Sequence, residues 1–145
     1  VGLGAAVDFL RDVGMDNVAA HERDLAQRLY EGLQTFGDAL DLYGPPDVAD
    51  RGAALVAFNA KGVHASDLAF FLDQEGVACR AGHHCTQPLH TRLGAPGGTV
   101  RASLSLYNTA AEVDAFLAKL ATVLADLQAE PDDLADFVPI DLDAL

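Results

Sequence analysis

Apolar residues recur along this chain at two spacings, one helical and one extended, and the switches between them mark its elements. Residues 3–13 read as a short helix, broken at Gly14. Asp16 is placed as the N-cap of a long helix over residues 17–36, with Val18, Leu25, Leu29, Leu33 and Phe36 as its apolar stripe and Gly37 as its end. Leu40 to Tyr43 reads as a short strand, stopped by Gly44-Pro45-Pro46. The loop 44–53, with its Pro, Asp and Gly, reads as exposed. Ala54 to Asn59 is a continuous apolar run, the pattern of a buried strand, and Lys61-Gly62 is a turn. Residues 65–75 suit a helix packing through Leu68, Phe71 and Leu72 and closed by Gly76. Val77 to Arg80 reads as a strand, Gln87 to Leu93 as a short helix ended by Gly94, and Thr99 to Tyr107 as a strand after the turn Pro96-Gly97-Gly98. Thr109-x-x-Glu112 is a capping box. The helix after it carries Val113, Phe116, Leu117, Leu120, Val123, Leu124 and Leu127 at 3-4 spacing, and Pro131 stops it.

The resulting order is helix, helix, strand, strand, helix, strand, short helix, strand, helix. The short link between the first two strands favours antiparallel pairing. The expected fold class is α/β, a small, mainly antiparallel sheet with helices packed on it. No internal repeat or low-complexity segment appears.

At 145 residues, half of them hydrophobic, the chain is long enough for one domain with a real core. No apolar run approaches membrane-spanning length, and no signal peptide shows, so a membrane is not expected as a partner. The first residue is Val1 and the opening already reads like mid-helix, which suggests a fragment or processed chain. A net charge of −13 repels phosphate backbones, so nucleic acid is not expected either. Two cysteines, Cys79 and Cys85, are too few for a disulfide framework and suit a reducing cytoplasm.

The candidate chemistry lies in Arg80-Ala81-Gly82-His83-His84-Cys85 and in Arg101-Ala102-Ser103-Leu104-Ser105-Leu106-Tyr107-Asn108-Thr109. Thiolates attack and thiols do not, so a thiol beside imidazoles, a guanidinium and a helix start is placed to react. An arginine on a strand offers a fixed fork that grips a carboxylate. Together they describe a site for a small amino-acid-like substrate. Each residue also has a plainer reading. Cys85 could be a small buried hydrophobe, and Cys79, in a Val-Ala-Cys run, reads as core packing. Arg80 and Arg101 could form surface ion pairs, although apolar neighbours argue against that for Arg101. His83 and His84 could tune the thiol, shape the loop, or bind zinc, but adjacent residues rarely converge on one ion and no fourth ligand has metal-like spacing. His64 reads as a cap or loop residue, His90 lacks a motif, and His21 reads as solvated. Asn108 and Thr109 read as a turn and an N-cap.

R-A-G-H-H-C-T-Q-P-L and V-R-A-S-L-S-L-Y-N-T, with G-L-G-A-A-V-D-F-L, L-Y-G-P and V-A-F-N, resemble the C-terminal part of SUF-type (class II) cysteine desulfurases in the aminotransferase class V group. The resemblance runs from about Gly2 to about Leu127. It implies the small C-terminal domain of a fold-type I pyridoxal-phosphate (PLP) enzyme. Residues 1–15 would end a linker helix from an N-terminal PLP domain, 16–129 would form the small domain, and 130–145 an acidic tail. The implied reaction turns L-cysteine into L-alanine and leaves a persulfide on Cys85 for iron–sulfur cluster assembly. Arg101 would clamp the substrate carboxylate, Arg80 would be an active-site arginine, and His83 and His84 would belong to the active-site loop. A SUF sulfur-acceptor protein, a homodimer of the full-length enzyme and a cytoplasmic location are implied as well. The family's PLP lysine, aspartate and stacking histidine belong to its larger domain. The lysines here are Lys61 and Lys119, neither in the family's context, so this stretch alone is expected to hold no PLP and to be inactive. Selenocysteine lyase chemistry uses the same constellation. A persulfide carrier or binding module and a zinc module are the non-desulfurase readings.

Overall fold

Residues 55–60 alternate strictly in burial. Val56, Phe58 and Ala60 are buried, while Leu55, Ala57 and Asn59 are half-covered. That period of two separates a helix-covered face of the sheet from a more open one. The computed structural model, which describes residues 1–129, builds these faces from α1 (Gly2–Val13), α2 (Met15–Gln34), β1 (Leu40–Tyr43), β2 (Leu55–Ala60), α3 (Ala65–Gln74), β3 (Arg80–Gly82), α4 (Gln87–Arg92), β4 (Thr99–Ser103) and α5 (Ala110–Ala129). Short 3₁₀ turns occupy Gly37–Ala39 and Val48–Asp50. The strands lie in the order β1-β2-β4-β3, every pair antiparallel. Helices α2, α3 and α5 cover one face. The expected α/β fold, a small antiparallel sheet under helices, is the one observed.

Several boundaries differ from the sequence reading. Helix α2 starts at Met15 with Gly14 as its N-cap, so Asp16 lies in the first turn, where a carboxylate suits the helix dipole. It ends at Gln34, which leaves Phe36 outside the helix but packed against the core. The third strand is Arg80–Gly82, not Val77–Arg80, and the fourth stops at Ser103, short of Tyr107. Val77, Cys79 and Leu104 in those runs pack against the core without ladder pairing, while Tyr107 is exposed. Phe71 is 41% exposed, so α3 packs through Leu68 and Leu72 without it. The stop at Pro131 and the tail 130–145 lie outside the described residues.

The core joins Leu25, Leu29 and Leu33 of α2 to Phe58, Val56 and Val100 of the sheet and to Val113, Phe116 and Leu120 of α5. Phe116 meets Phe58 edge to face, ring centres 6.2 Å apart. Gly32 lets α2 and α5 approach closely, since a Cβ there would run into the Leu117 side chain. Arg28 of α2 forks onto Asp114 of α5, with Nε and Nη2 donating at 2.6 and 2.7 Å. That contact holds the Asp114 carboxyl below the usual carboxylate range. The capping box forms as read: the Thr109 amide donates to Glu112 Oε2 at 2.7 Å and the Glu112 amide donates to Thr109 Oγ1 at 3.3 Å. His21 is exposed, as read, and its Nε2 lies 2.9 Å from the Asn108 carbonyl, tying α2 to the start of α5.

Phe116→Ala should therefore cost about 3–5 kcal/mol, the usual loss for a large aromatic removed from a core. Denaturant unfolding measures it; a loss below about 1 kcal/mol would show that the α5 stripe is not the buried one.

Candidate active site

Strand register places the two candidate arginines. In the β3–β4 pair Arg80 stands directly opposite Arg101, Ala81 opposite Val100 and Gly82 opposite Thr99. Opposite residues in an antiparallel pair project to one face, so two guanidiniums share a patch of the open face. Like charges so placed repel. Among the described residues the ion pairs are Arg11–Asp8 and Arg28–Asp114, and neither candidate arginine has a carboxylate partner. Arg101 is half-buried and donates from Nε to Ser103 Oγ at 3.0 Å, while Arg80 is exposed. Such a pair calls for an anion, and a planar carboxylate matches the guanidinium fork.

The segment after β3 is locally strained. His84 and Cys85 have φ of 51° and 63°, the left-handed region that side-chain-bearing residues seldom occupy. They are the non-glycine residues with positive φ among those described. Strain of this kind clusters at functional sites and persists where surrounding contacts enforce it. Here Thr86 enforces it, because its amide and its hydroxyl both donate to the His83 carbonyl, at 2.8 and 2.9 Å. Gly98 adds a close backbone approach. Its φ is 92°, and a Cβ there would meet Gly82 backbone atoms at 2.7–2.9 Å. The result leaves Cys85 exposed at the tip of the loop, immediately before α4.

The two loop histidines turn to different partners. His83 Nε2 lies 2.8 Å from the Pro96 carbonyl. His84 Nε2 lies 3.1 Å from the Thr99 carbonyl and 3.2 Å from its hydroxyl. Burial pushes the His84 pKa down, as do the charges of Arg101, His90 and Arg80, against an opposing pull from the Thr99 carbonyl. His84 thus favours its neutral form. Beneath the loop His90 is buried, with Nε2 3.2 Å from Thr99 Oγ1 and Nδ1 3.1 Å from the Thr86 carbonyl. Among the described residues no group of three His, Cys, Asp or Glu side chains converges to hold a metal ion.

A cavity of about 450 Å³ opens on the same face, lined by Arg101, Thr99, Ala57, His84, Arg51 and Leu89 among others. It brings Arg101 and His84 together; Arg80 and Cys85 stand outside its lining. Among the described residues four buried side-chain atoms lack a hydrogen-bond partner: Arg51 Nε and Nη2, Asn59 Oδ1 and His84 Nδ1. Arg51 and His84 line this cavity and Asn59 projects to the same face, so the unsatisfied polarity gathers there. Unpaired buried groups are costly. Arg51, His90 and Thr99 escaped the sequence reading. Position four after Thr86 on a short helix was the one signal that His90 faces inward.

Cys79 behaves as the packing residue expected, joining the core margin with its thiol pushed up to about 11 by burial. It lines a separate cavity of about 330 Å³ beside Phe116. His64 caps α3, its Nδ1 accepting from the Ser66 amide at 3.2 Å. Neither lysine lines the cavity of the arginines: Lys61 sits exposed in its turn, and Lys119 donates to the Glu75 carbonyl. The described residues therefore do not by themselves fit pyridoxal phosphate, which needs an imine-forming lysine beside the substrate.

Residues 1–116 match the family described as aminotransferase class-V. A probable cysteine desulfurase of Synechocystis sp. is 51% identical over 125 residues, covering 86% of this chain and 29% of that protein. A cysteine desulfurase of Haloferax volcanii is 54% identical over 114 residues, covering 79% of this chain and 26% of that protein. Among solved structures, the apo cysteine desulfurase of Thermococcus onnurineus NA1 superposes with a TM-score of 0.81 at 34% identity, over 86% of this chain and 30% of that one. A cysteine desulfurase of Escherichia coli, in an S-sulfonic acid form, gives a TM-score of 0.75 at 34% identity, over 86% of this chain and 29% of that one. The chain thus spans less than a third of the length of these relatives. It belongs to the aminotransferase class-V family and matches the C-terminal part of cysteine desulfurases.

Proposed function

We propose that this chain is the sulfur-accepting part of a SUF-type cysteine desulfurase that converts L-cysteine to L-alanine. The observation that carries the reading is Arg80 opposite Arg101, neither paired with a carboxylate among the described residues, next to an exposed cysteine on left-handed backbone. In this reading Arg101 grips the substrate carboxylate and Arg80 reinforces the positive patch. His83 and His84 shape the loop that presents Cys85. The Cys85 sulfur attacks the substrate sulfur, an S–S bond forms, and the Cβ–S bond breaks with its electron pair passing to carbon. A proton then completes alanine. Sulfur is oxidised to the persulfide level and carbon is reduced, so no outside oxidant is required. Pyridoxal phosphate, held by a larger N-terminal domain, would supply the electron sink for this chemistry.

Residues 1–15 are assigned to the end of a linker helix and 16–129 to the small domain, with 130–145 as an acidic tail. Helix α1 supports this, since none of its residues is buried and Leu3 and Phe9 stand 80% and 56% exposed. An apolar helix left so open suits a contact with the larger domain. The full enzyme is assigned to the cytoplasm as a homodimer that passes its persulfide to a SUF acceptor protein for iron–sulfur cluster assembly. Exposure of Cys85 supports such a hand-over, because the acceptor thiol must reach it.

Access alone gives a first expected outcome. At pH 8 iodoacetamide should modify Cys85 well before Cys79, because a buried thiol with a pKa of about 11 stays protonated there. Peptide mass mapping reads the order, and faster modification of Cys79 would reverse the assignment. In the full-length protein Arg101→Ala should raise KM for cysteine by roughly 10–100-fold, the worth of a charge-assisted contact, with a smaller fall in kcat. Cys85→Ala should abolish alanine release and protein-bound persulfide, while Cys79→Ala leaves both near the unmodified level. Persulfide retained in Cys85→Ala would sink the proposal, and persulfide without alanine release would favour a carrier module.

A further inference from the structure

Two residues outside the family motifs, His90 and Thr99, underlie the Cys85 loop, and with neutral imidazoles one arrangement of protons satisfies their contacts. A carbonyl oxygen can only accept. The Thr99 carbonyl lies 3.1 Å from His84 Nε2, so that nitrogen carries a proton and donates. The Thr86 carbonyl lies 3.1 Å from His90 Nδ1, so that nitrogen also donates. The Thr86 hydroxyl is committed as a donor to the His83 carbonyl at 2.9 Å. His90 Nε2 is then a lone pair, and the Thr99 hydroxyl 3.2 Å away donates to it. The same Thr99 oxygen accepts from His84 Nε2 at 3.2 Å. Every contact is satisfied with both imidazoles neutral. One atom is left over, His84 Nδ1, an acceptor that is buried and unpartnered.

We infer that Thr99 and His90 are positioning residues: with Thr86 they lock His84 as the Nε2–H tautomer and hold the left-handed loop that presents Cys85. The chain of donors runs one way, from His84 through Thr99 and His90 to Thr86. Thr99 is the hinge of this device, being 1% exposed, on β4, and two residues before Arg101 on the same face of the strand. The loop that carries the thiol is thereby referenced to the strand that carries the carboxylate grip. As an acceptor, His84 Nδ1 would be completed by a hydrogen-bond donor and not by an anion.

This inference rests on the proposed function only for its effect on turnover, because tautomers are read without it. The test uses the full-length protein labelled with ¹⁵N-histidine, and long-range ¹H–¹⁵N spectra at pH 7.5. The expected result is His84 protonated at Nε2 and His90 protonated at Nδ1, the latter the less common form in solution. In Thr99→Val the unprotonated His90 Nε2 should move toward the shift of a free lone pair, and Thr99→Ser should restore it. His90 protonated at Nε2 in the unmodified protein, or a His90 Nε2 signal indifferent to Thr99→Val, would overturn the assignment. With cysteine as substrate, Thr99→Val should lower kcat about tenfold, a factor set by one hydrogen bond of ordinary strength, with KM little changed. Unchanged kcat in Thr99→Val would overturn the positioning role. If the tautomers are as stated and the unmodified protein releases no alanine, the proposed function fails and the proton arrangement stands.

Discussion

The antiparallel pairing of β3 with β4 is the constraint on which the rest of the site depends. It sets Arg80 opposite Arg101, and Gly82 opposite Thr99. A slip of one residue would turn Arg101 into the helix-packed core, where Val100 now sits fully buried. The core therefore enforces a register whose local electrostatics are unfavourable. Hydrophobic burial on one face holds two like charges together on the other. Gly98 belongs to the same constraint, since only a residue without Cβ lets the loop before β4 lie against Gly82.

The sheet is thus two-sided in function as well as in packing. Helices α2, α3 and α5 take up its apolar face and hold the fold together. The other face keeps Arg101, Asn59, Ala57 and Leu55 only half-covered, with α4 and the 44–53 loop around a cavity. Among the described residues, the buried polar atoms without partners belong to Arg51, Asn59 and His84. The exposed apolar side chains of α1 lie elsewhere among the described residues.

Much of this was legible in the sequence because it depends on local rules. The helix stripes of α2 and α5, the Thr109–Glu112 capping box and the antiparallel link of the first two strands follow from periodicity, side-chain caps and connection length. Strand ends were not legible. The apolar runs 77–80 and 99–107 contain the segments that pair but do not mark where pairing stops. Pairing is a non-local event, and composition alone cannot separate a strand from a covered loop. At the site the motif residues could be named, yet their relation could not. That Arg80 faces Arg101 is a matter of register. The inward turn of His90 is equally a matter of tertiary placement, and no charge pattern announces it.

The two cysteines show why placement decides chemistry. Both sit near the third strand, six residues apart, and nothing in the residue type separates them. Cys79 lies against the core margin, where burial raises its thiol to about 11 and no partner need reach it. Cys85 stands past the end of the strand, on backbone held left-handed by Thr86 and braced through His84 against Thr99. A thiol that is to react with an outside partner has to be exposed, and an exposed loop is ordinarily mobile. The strained turn resolves that conflict. It gives the thiol access from outside while hydrogen bonds from beneath hold the loop at a set position relative to Arg101.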